Sequence, residues 1–158
     1  MSDRTREDFL REAIRVASDN VASGGGPFGA IVVRDGEVVA RAANRVTASN
    51  DPTAHAEVAA IREACGILGT FQLEGCEIYS SSEPCPMCLG AIYWARPKAV
   101  YFANGRDVAL AAGFDDDHIY EEFLLAPEER RYPATRLEIE GADEPFRRWA
   151  AKDDRVEY

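Results

Sequence analysis

Three short segments far apart in the chain carry the residues of one metal site, so the fold has to bring them together. The segments are His55-Ala56-Glu57, Pro84-Cys85 and Cys88. One histidine and two cysteines are ordinary protein ligands of zinc. With three protein ligands, a tetrahedral zinc ion keeps one open position, which is typical of catalytic sites and not of structural ones.

A closed structural site would need a fourth ligand, and the remaining candidates are Cys65, Cys76 and His118. Cys65 lies well along a predicted helix and Cys76 begins a predicted strand, so we interpret both as small buried side chains. His118 follows three aspartates, in a sequence typical of a polar loop. The pattern therefore favours a catalytic zinc site with three ligands.

The spacing within each segment indicates how its side chains are arranged. Cys85 and Cys88 are three residues apart at the start of an apolar run, which predicts one face of a helix near its N-terminus, where the helix dipole favours thiolates. The residues before His55 carry cap and proline signals for a second helix, reaching about Leu68. His55 and Glu57 would then lie about 200° apart around the helix axis, which is unsuitable for two ligands of one ion. We interpret Glu57 as a general base beside the open position.

Hydrophobic periodicity and turn residues predict one domain, residues 1–158, with alternating helices and strands. Gly24-Gly25-Gly26 precedes a strand and opens no helix, so it indicates a turn where backbone can approach a ligand, and not a phosphate cradle. The order of elements predicts a three-layer α/β/α fold with a mixed, about five-stranded sheet. The predicted helices cover 5–22, 55–68, 87–94 and 144–153, and the predicted strands cover 28–34, 38–43, 76–80, 99–103 and 136–140.

The charge balance disfavours nucleic acid as a partner. The chain has 18 basic and 28 acidic residues, a formal net charge of −10, whereas nucleic-acid affinity depends on Lys and Arg contacts to phosphate. No apolar stretch approaches the roughly 18 residues needed to span a bilayer, and the polar N-terminus does not resemble a signal peptide. Four cysteines, two of them in the metal motif, fit a reducing compartment. We expect a cytoplasmic protein without a membrane partner.

Beyond the metal motif, the chain resembles the bacterial guanine deaminases, which have the cytidine deaminase fold. The resemblance covers about Phe9 to the last residue. The zinc motif alone would identify only the superfamily, and the longer matches favour guanine as the substrate. The matching residues are Pro27-Phe28-Gly29-Ala30, Asn44, 50–57, 83–100, Ala112-Gly113-Phe114-Asp115-Asp116 and Glu157-Tyr158.

The resemblance implies zinc-dependent hydrolysis of guanine to xanthine and ammonia, with one zinc ion per subunit. The implied zinc ligands are His55, Cys85 and Cys88. Glu57 would carry protons between the attacking water, a ring nitrogen and the leaving ammonia. The implied substrate contacts are Phe28, stacking on the purine, Asn44, bonding the ring, Asp116, accepting hydrogen bonds from the edge with the amine, and Tyr158.

The resemblance also implies a homodimer. The C-terminal segment, about 143–158, would cross to the partner subunit, where Tyr158 would close the other active site. The sequence alone would favour a disordered charged tail instead.

Other functions remain open at this stage. A tRNA adenosine deaminase shares Asn44 and both parts of the zinc motif, but the net negative charge favours a free base or nucleoside. Guanosine deaminases and cytosine or cytidine deaminases are further alternatives. Another is a zinc-stabilised binding domain without activity, which would have no need of Glu57. The segment Asn104 to Leu110 departs from the family pattern and could reshape the rim of the pocket.

Overall fold

The fold is described here from a computed structural model covering residues 4–158. These residues form two compact units, the first ending at Asp117 and the second running from His118 to Tyr158. The helices are α1 (Arg6–Ala22), α2 (Val46–Ser49), α3 (Ala56–Leu68), α4 (Pro86–Ala95), α5 (Arg106–Ala111), α6 (Asp117–Glu122) and α7 (Glu144–Ala150), and a 3₁₀ turn spans Pro127–Glu129. The strands are β1 (Gly29–Arg34), β2 (Glu37–Ala43), β3 (Cys76–Ser82) and β4 (Ala99–Asn104).

The sheet of the first unit is mixed, as predicted, and has the strand order β2-β1-β3-β4. β1 is antiparallel to both β2 and β3. β3 and β4 are parallel, because α4 crosses over between them. The β1–β2 hairpin turns at Asp35 and Gly36, whose φ angles of 51° and 81° are those of a two-residue turn matching the twist of the strands.

Helices cover both faces of this sheet, so the predicted three layers are confirmed. Ala30 and Val32 of β1 belong to a buried cluster that includes residues of α3 and α4. Ile31 and Val33, which point to the opposite face because side chains alternate along a strand, pack with Phe9 of α1. β1 is therefore buried on both faces.

The two helices next to the metal motif lie on the same core. α3 presents Ala56, Ala60 and Ala64 at intervals of four, all fully buried, and such small side chains let a helix lie close to a sheet. On α4, Cys88 begins the buried stripe that continues with Ile92. Packing of these stripes fixes the N-terminal ends of both helices.

The prediction of a fifth strand at 136–140 was wrong. These residues adopt no helix or strand, and Leu137 and Ile139 are 74% and 66% exposed. A strand needs a hydrogen-bonded neighbour, and the His118–Tyr158 unit contains none. The final helix also ends earlier than expected, at Ala150. The prediction of a single domain stays a prediction.

No helix within residues 4–158 combines the length and apolar character that a membrane span requires.

Candidate active site

His55, Cys85 and Cys88 meet in the structure although thirty or more residues separate the histidine from the cysteines. His55 is the N-cap of α3 and Cys85 the N-cap of α4, both with extended backbone. Each cysteine Sγ lies 3.5 Å from His55 Nδ1, and the three ligand atoms lie within 4.8 Å of one another. One imidazole and two thiol sulfurs around one point suit the ligand preferences of zinc. Cys65, Cys76 and His118 lie outside this group.

The three groups polarise one another. The hydrogen bond from Cys88 holds the pKa of the Cys85 thiol well below its usual range, and the same contact raises the pKa of Cys88. The contact with Cys85 raises the pKa of His55. Cys85 is therefore the thiol that ionises first, which favours capture of a cation.

Glu57 lies beside this group in the first turn of α3 and is 5% exposed. Its Oε1 accepts a hydrogen bond of 3.0 Å from the Ser80 hydroxyl, and its Oε2 lies 3.4 Å from Cys88 Sγ. Burial raises the pKa of the Glu57 carboxyl. A buried carboxyl with a raised pKa can both accept and return protons, which a general base has to do here.

Ser80 was missed by the sequence reasoning. Its strand position carried a signal, because Ser80 is two residues after the core residue Ile78 and therefore shares its face, toward α3. The register of β1 with β3 pairs Ala30 with Ser80 on that face. Ser80 fixes the carboxylate of Glu57 from the sheet side.

A cavity of about 620 Å³ opens in front of these groups. Among the residues that line it are Phe28, Asn44, His55, Glu57, Cys85 and Asp116. The Phe28 ring packs edge-on against Phe114, with centroids 4.8 Å apart. Burial raises the pKa of Asp116. Six of the eight residues named from the sequence thus line one cavity, and Cys88, which is fully buried, contacts His55.

The ends of the β1–β2 hairpin explain why Phe28 and Asn44 lie together. The Asn44 N–H donates a hydrogen bond of 3.0 Å to the Phe28 carbonyl, just before the first residue of β1 and just after the last residue of β2. Asn44 Oδ1 accepts a hydrogen bond from the Val46 N–H at 3.2 Å. The Nδ2 group of Asn44 keeps the donor capacity that a ligand could use.

Asn20, near the end of α1, is a second residue that the sequence reasoning missed. Its Nδ2 donates to the carbonyls of Gly26 and Asn44, at 2.8 and 2.9 Å, and its own carbonyl accepts from the Gly25 N–H at 2.8 Å. A Cβ at Gly25 would lie 2.6 Å from Asn20 Cγ, so any larger residue there would have to displace the Asn20 side chain. The glycine run lines the cavity with backbone, as the sequence predicted. Helical periodicity gave no sign of this role for Asn20.

Tyr158 is the last residue of the second unit and is 70% exposed. Its role in substrate binding stays a prediction.

Comparison with known proteins agrees with this geometry. The profile of the cytidine and deoxycytidylate deaminase zinc-binding region matches residues 3–104. The guanine deaminase of Bacillus subtilis is 52% identical over 96% of this chain and 98% of its own length. The chain belongs to the guanine deaminase family of zinc deaminases.

The fold of this chain is also that of a solved guanine deaminase. The X-ray structure of the Bacillus subtilis guanine deaminase superposes with a TM-score of 0.96, at 51% identity, over 98% of this chain and 99% of that one. A tRNA-specific adenosine deaminase from Aquifex aeolicus is 47% identical, but over only 62% of this chain and 65% of its own. The predicted cytidine deaminase-like fold is thus confirmed, and the protein is an enzyme, a hydrolase of the deaminase class.

Proposed function

We propose that this protein hydrolyses guanine to xanthine and ammonia. The main observation behind the proposal is that one cavity is lined by Glu57, by Asp116 and by the candidate zinc ligand His55. The likeness to the Bacillus subtilis guanine deaminase along nearly the whole chain supports the same conclusion. Related tRNA-specific adenosine deaminases match only about three fifths of the chain.

Zinc is the cofactor in this proposal, held by His55, Cys85 and Cys88. A zinc ion in that position would make water a better nucleophile near neutral pH. Glu57 accepts one proton from the attacking water and delivers it to ring nitrogen N3 as the oxygen bonds to C2. Glu57 then takes the proton of the new C2 hydroxyl and gives it to the amine. The C2–N bond breaks, ammonia leaves, and xanthine keeps the oxygen.

Three cavity residues would orient the base. Phe28, braced by Phe114, offers a ring face or edge for stacking on the purine. Asn44 Nδ2 would donate to a ring acceptor. Asp116 would accept from N1–H and the adjacent 2-amino group, two neighbouring donors that suit the two oxygens of a carboxylate.

Guanosine is the second candidate substrate. The cavity of about 620 Å³ is within the range of sites for molecules larger than a single base. RNA is disfavoured because the chain carries a formal net charge of −10.

The proposal includes a homodimer in the cytoplasm, in which residues 143–158 reach the partner's site. Its support is the large apolar side chains that each of the two units leaves exposed. Tyr93 and Trp94 on α4 are 80% and 63% exposed, and Phe146 on α7 is 76% exposed. Exposed aromatic side chains in such numbers are typical of association surfaces.

A complementation experiment tests the exchange of the tail. One variant lacks residues from Lys152 onward, and the other carries Glu57→Gln with an intact tail. Each alone should be inactive. If tails cross between subunits, mixing the two should restore activity, because the Glu57→Gln subunit supplies Tyr158 to the partner's intact Glu57. No recovery in mixed dimers, or full activity of the truncated chain, would refute the exchange.

The proposed reaction is tested by ammonia release from the zinc-loaded protein with guanine, guanosine, cytosine and a tRNA anticodon hairpin side by side. Turnover of guanine is the expected result. Turnover of guanosine or the hairpin without turnover of guanine would be consistent with deaminase chemistry but would refute guanine as the substrate.

A further inference from the structure

The segment Asn104 to Leu110, which departs from the family pattern, is held at its N-terminal end by hydrogen bonds to the residues that precede the cysteine motif. The Glu83 N–H donates a hydrogen bond of 2.8 Å to the Asn104 carbonyl. The Asn104 Nδ2 group donates to the Ser81 carbonyl at 3.0 Å. The end of β4 is therefore tied to the end of β3, two residues before Cys85.

Arg106 is the first residue of α5, and its side chain links Glu83 to the loop that carries Asp116. Its Nε lies 3.5 Å from Glu83 Oε1, and its Nη1 donates to Asp117 Oδ1 at 3.1 Å. Arg106, Glu83 and Asp116 all line the cavity. One guanidinium thus links the strand end before the zinc ligands to the residue next to Asp116.

The loop held in this way has little regular structure of its own. Residues 114–116 belong to no helix or strand, and Gly113, just before them, has a φ of 92°, a conformation that favours glycine. The loop also carries three aspartates in a row, Asp115 to Asp117, and the first two line the same cavity as Glu83. Like charges so close repel, and a cation between Glu83 and Asp117 offsets that repulsion.

We propose that Arg106 is a positioning residue that sets the location of Asp116 relative to the zinc ligands and so determines affinity for the base. The inference rests on the proposed guanine deamination. Arg106 acts through Asp117 and Glu83 and takes no part in proton transfer. The alternative is that Arg106 forms ordinary surface ion pairs that do not affect substrate binding. Its side chain is 42% exposed, and exposed ion pairs contribute little to stability on average.

Arg106→Gln separates these two interpretations. The variant should raise the KM for guanine about fivefold and leave kcat within about twofold of wild type, because the lost contact orients a binding group and not the general base. Zinc content should be unchanged. Arg106→Lys keeps the charge and should recover part of the affinity. Arg15→Gln removes the same charge from the exposed face of α1 and serves as the matched control.

Two further readouts distinguish positioning from general support of the fold. Hypoxanthine keeps N1–H but lacks the 2-amino group, so the preference for guanine over hypoxanthine should narrow in Arg106→Gln if Asp116 is displaced. Asp117→Asn should give the same KM change, and the double variant should add little to either single one.

The results divide cleanly. An unchanged KM in Arg106→Gln, additive effects of the two substitutions, an equal loss of guanine and hypoxanthine affinity, or loss of zinc would each overturn the role of Arg106. Guanine turnover by the wild-type protein is measured first in the same assay. If the wild-type protein does not turn over guanine, the proposed function is refuted, and not the role of Arg106.

Discussion

Replacing Gly25 with alanine should break the hydrogen bonds by which Asn20 joins the glycine run to Asn44. Because Asn44 is a proposed substrate contact, the substitution should affect both stability and substrate binding. The added Cβ would lie 2.6 Å from Asn20 Cγ, whereas carbon atoms in ordinary contact are about 3.5 Å apart or more. Asn20 would have to move by about 1 Å. Its hydrogen bonds to the Gly26 and Asn44 carbonyls, now 2.8 and 2.9 Å, would then exceed the usual limit.

The expected cost follows from those two bonds. Each neutral hydrogen bond contributes about 1 kcal/mol to the free energy of unfolding, and replacing glycine with alanine returns about 0.4–1 kcal/mol through the unfolded chain. Gly25→Ala should therefore destabilise the protein by about 1 kcal/mol, which lowers Tm by roughly 3 °C for a chain of this size. If Asn44 also loses one hydrogen bond to the substrate, kcat/KM should fall about fivefold.

Thermal unfolding and steady-state guanine deamination measure the two effects. Gly66→Ala is the matched control, because Gly66 lies in α3 with nothing within 4 Å of the added Cβ. That variant should gain about 0.5–1 kcal/mol and keep wild-type kinetics. Wild-type Tm and kcat/KM in Gly25→Ala would refute the role assigned to Asn20.

Three further predictions follow from the site and the core. Glu57→Gln should reduce ammonia release about 10²–10⁴-fold with zinc content unchanged; near-normal turnover would exclude Glu57 as the base. Removing metal with a chelator should abolish activity and lower Tm, and zinc should restore both. Burial would raise the pKa of Glu12, but hydrogen bonds from Arg4 and Arg41 lower it overall. Its stabilising effect is therefore present above the ordinary pKa of 4.5 and lost as pH falls through the lowered value. Glu12→Gln should cost about 1–3 kcal/mol at pH 7, and urea unfolding should show the difference shrinking in acid.

Local signals were sufficient for much of the fold. Apolar runs predicted the strands at 28–34 and 38–43, and the structure joins them as a hairpin whose turn residues, Asp35 and Gly36, have positive φ angles. The alternation at 136–140 failed because period-two hydrophobicity reports a half-buried strand only where a partner strand exists, and the sequence does not specify the partner. The short helices Val46–Ser49 and Arg106–Ala111 lacked a period long enough to detect.

The candidate site likewise contains residues that the sequence identified and residues that it did not. The three metal-motif residues and Glu57 were recognisable because their side-chain chemistry is rare in that spacing. Asn20 and Ser80 were missed, because each is an ordinary polar residue whose partner is distant in sequence, Asn44 for Asn20 and Glu57 for Ser80. The strand position of Ser80 indicated its face of the sheet but not its partner. Such contacts are fixed by strand register and helix packing, which only the folded structure specifies.

The pairing of β1 with β3 has a kinetic consequence for the site. Phe28 and Asn44 are joined by a local hairpin, and hairpins of this kind form within microseconds. Ala30, however, pairs with Ser80, fifty residues later, so closing that loop costs chain entropy before any contact repays it. Neither half of the cavity can bind substrate until this slow, long-range step is complete. A nascent or partly refolded chain should therefore gain its activity only together with its complete sheet.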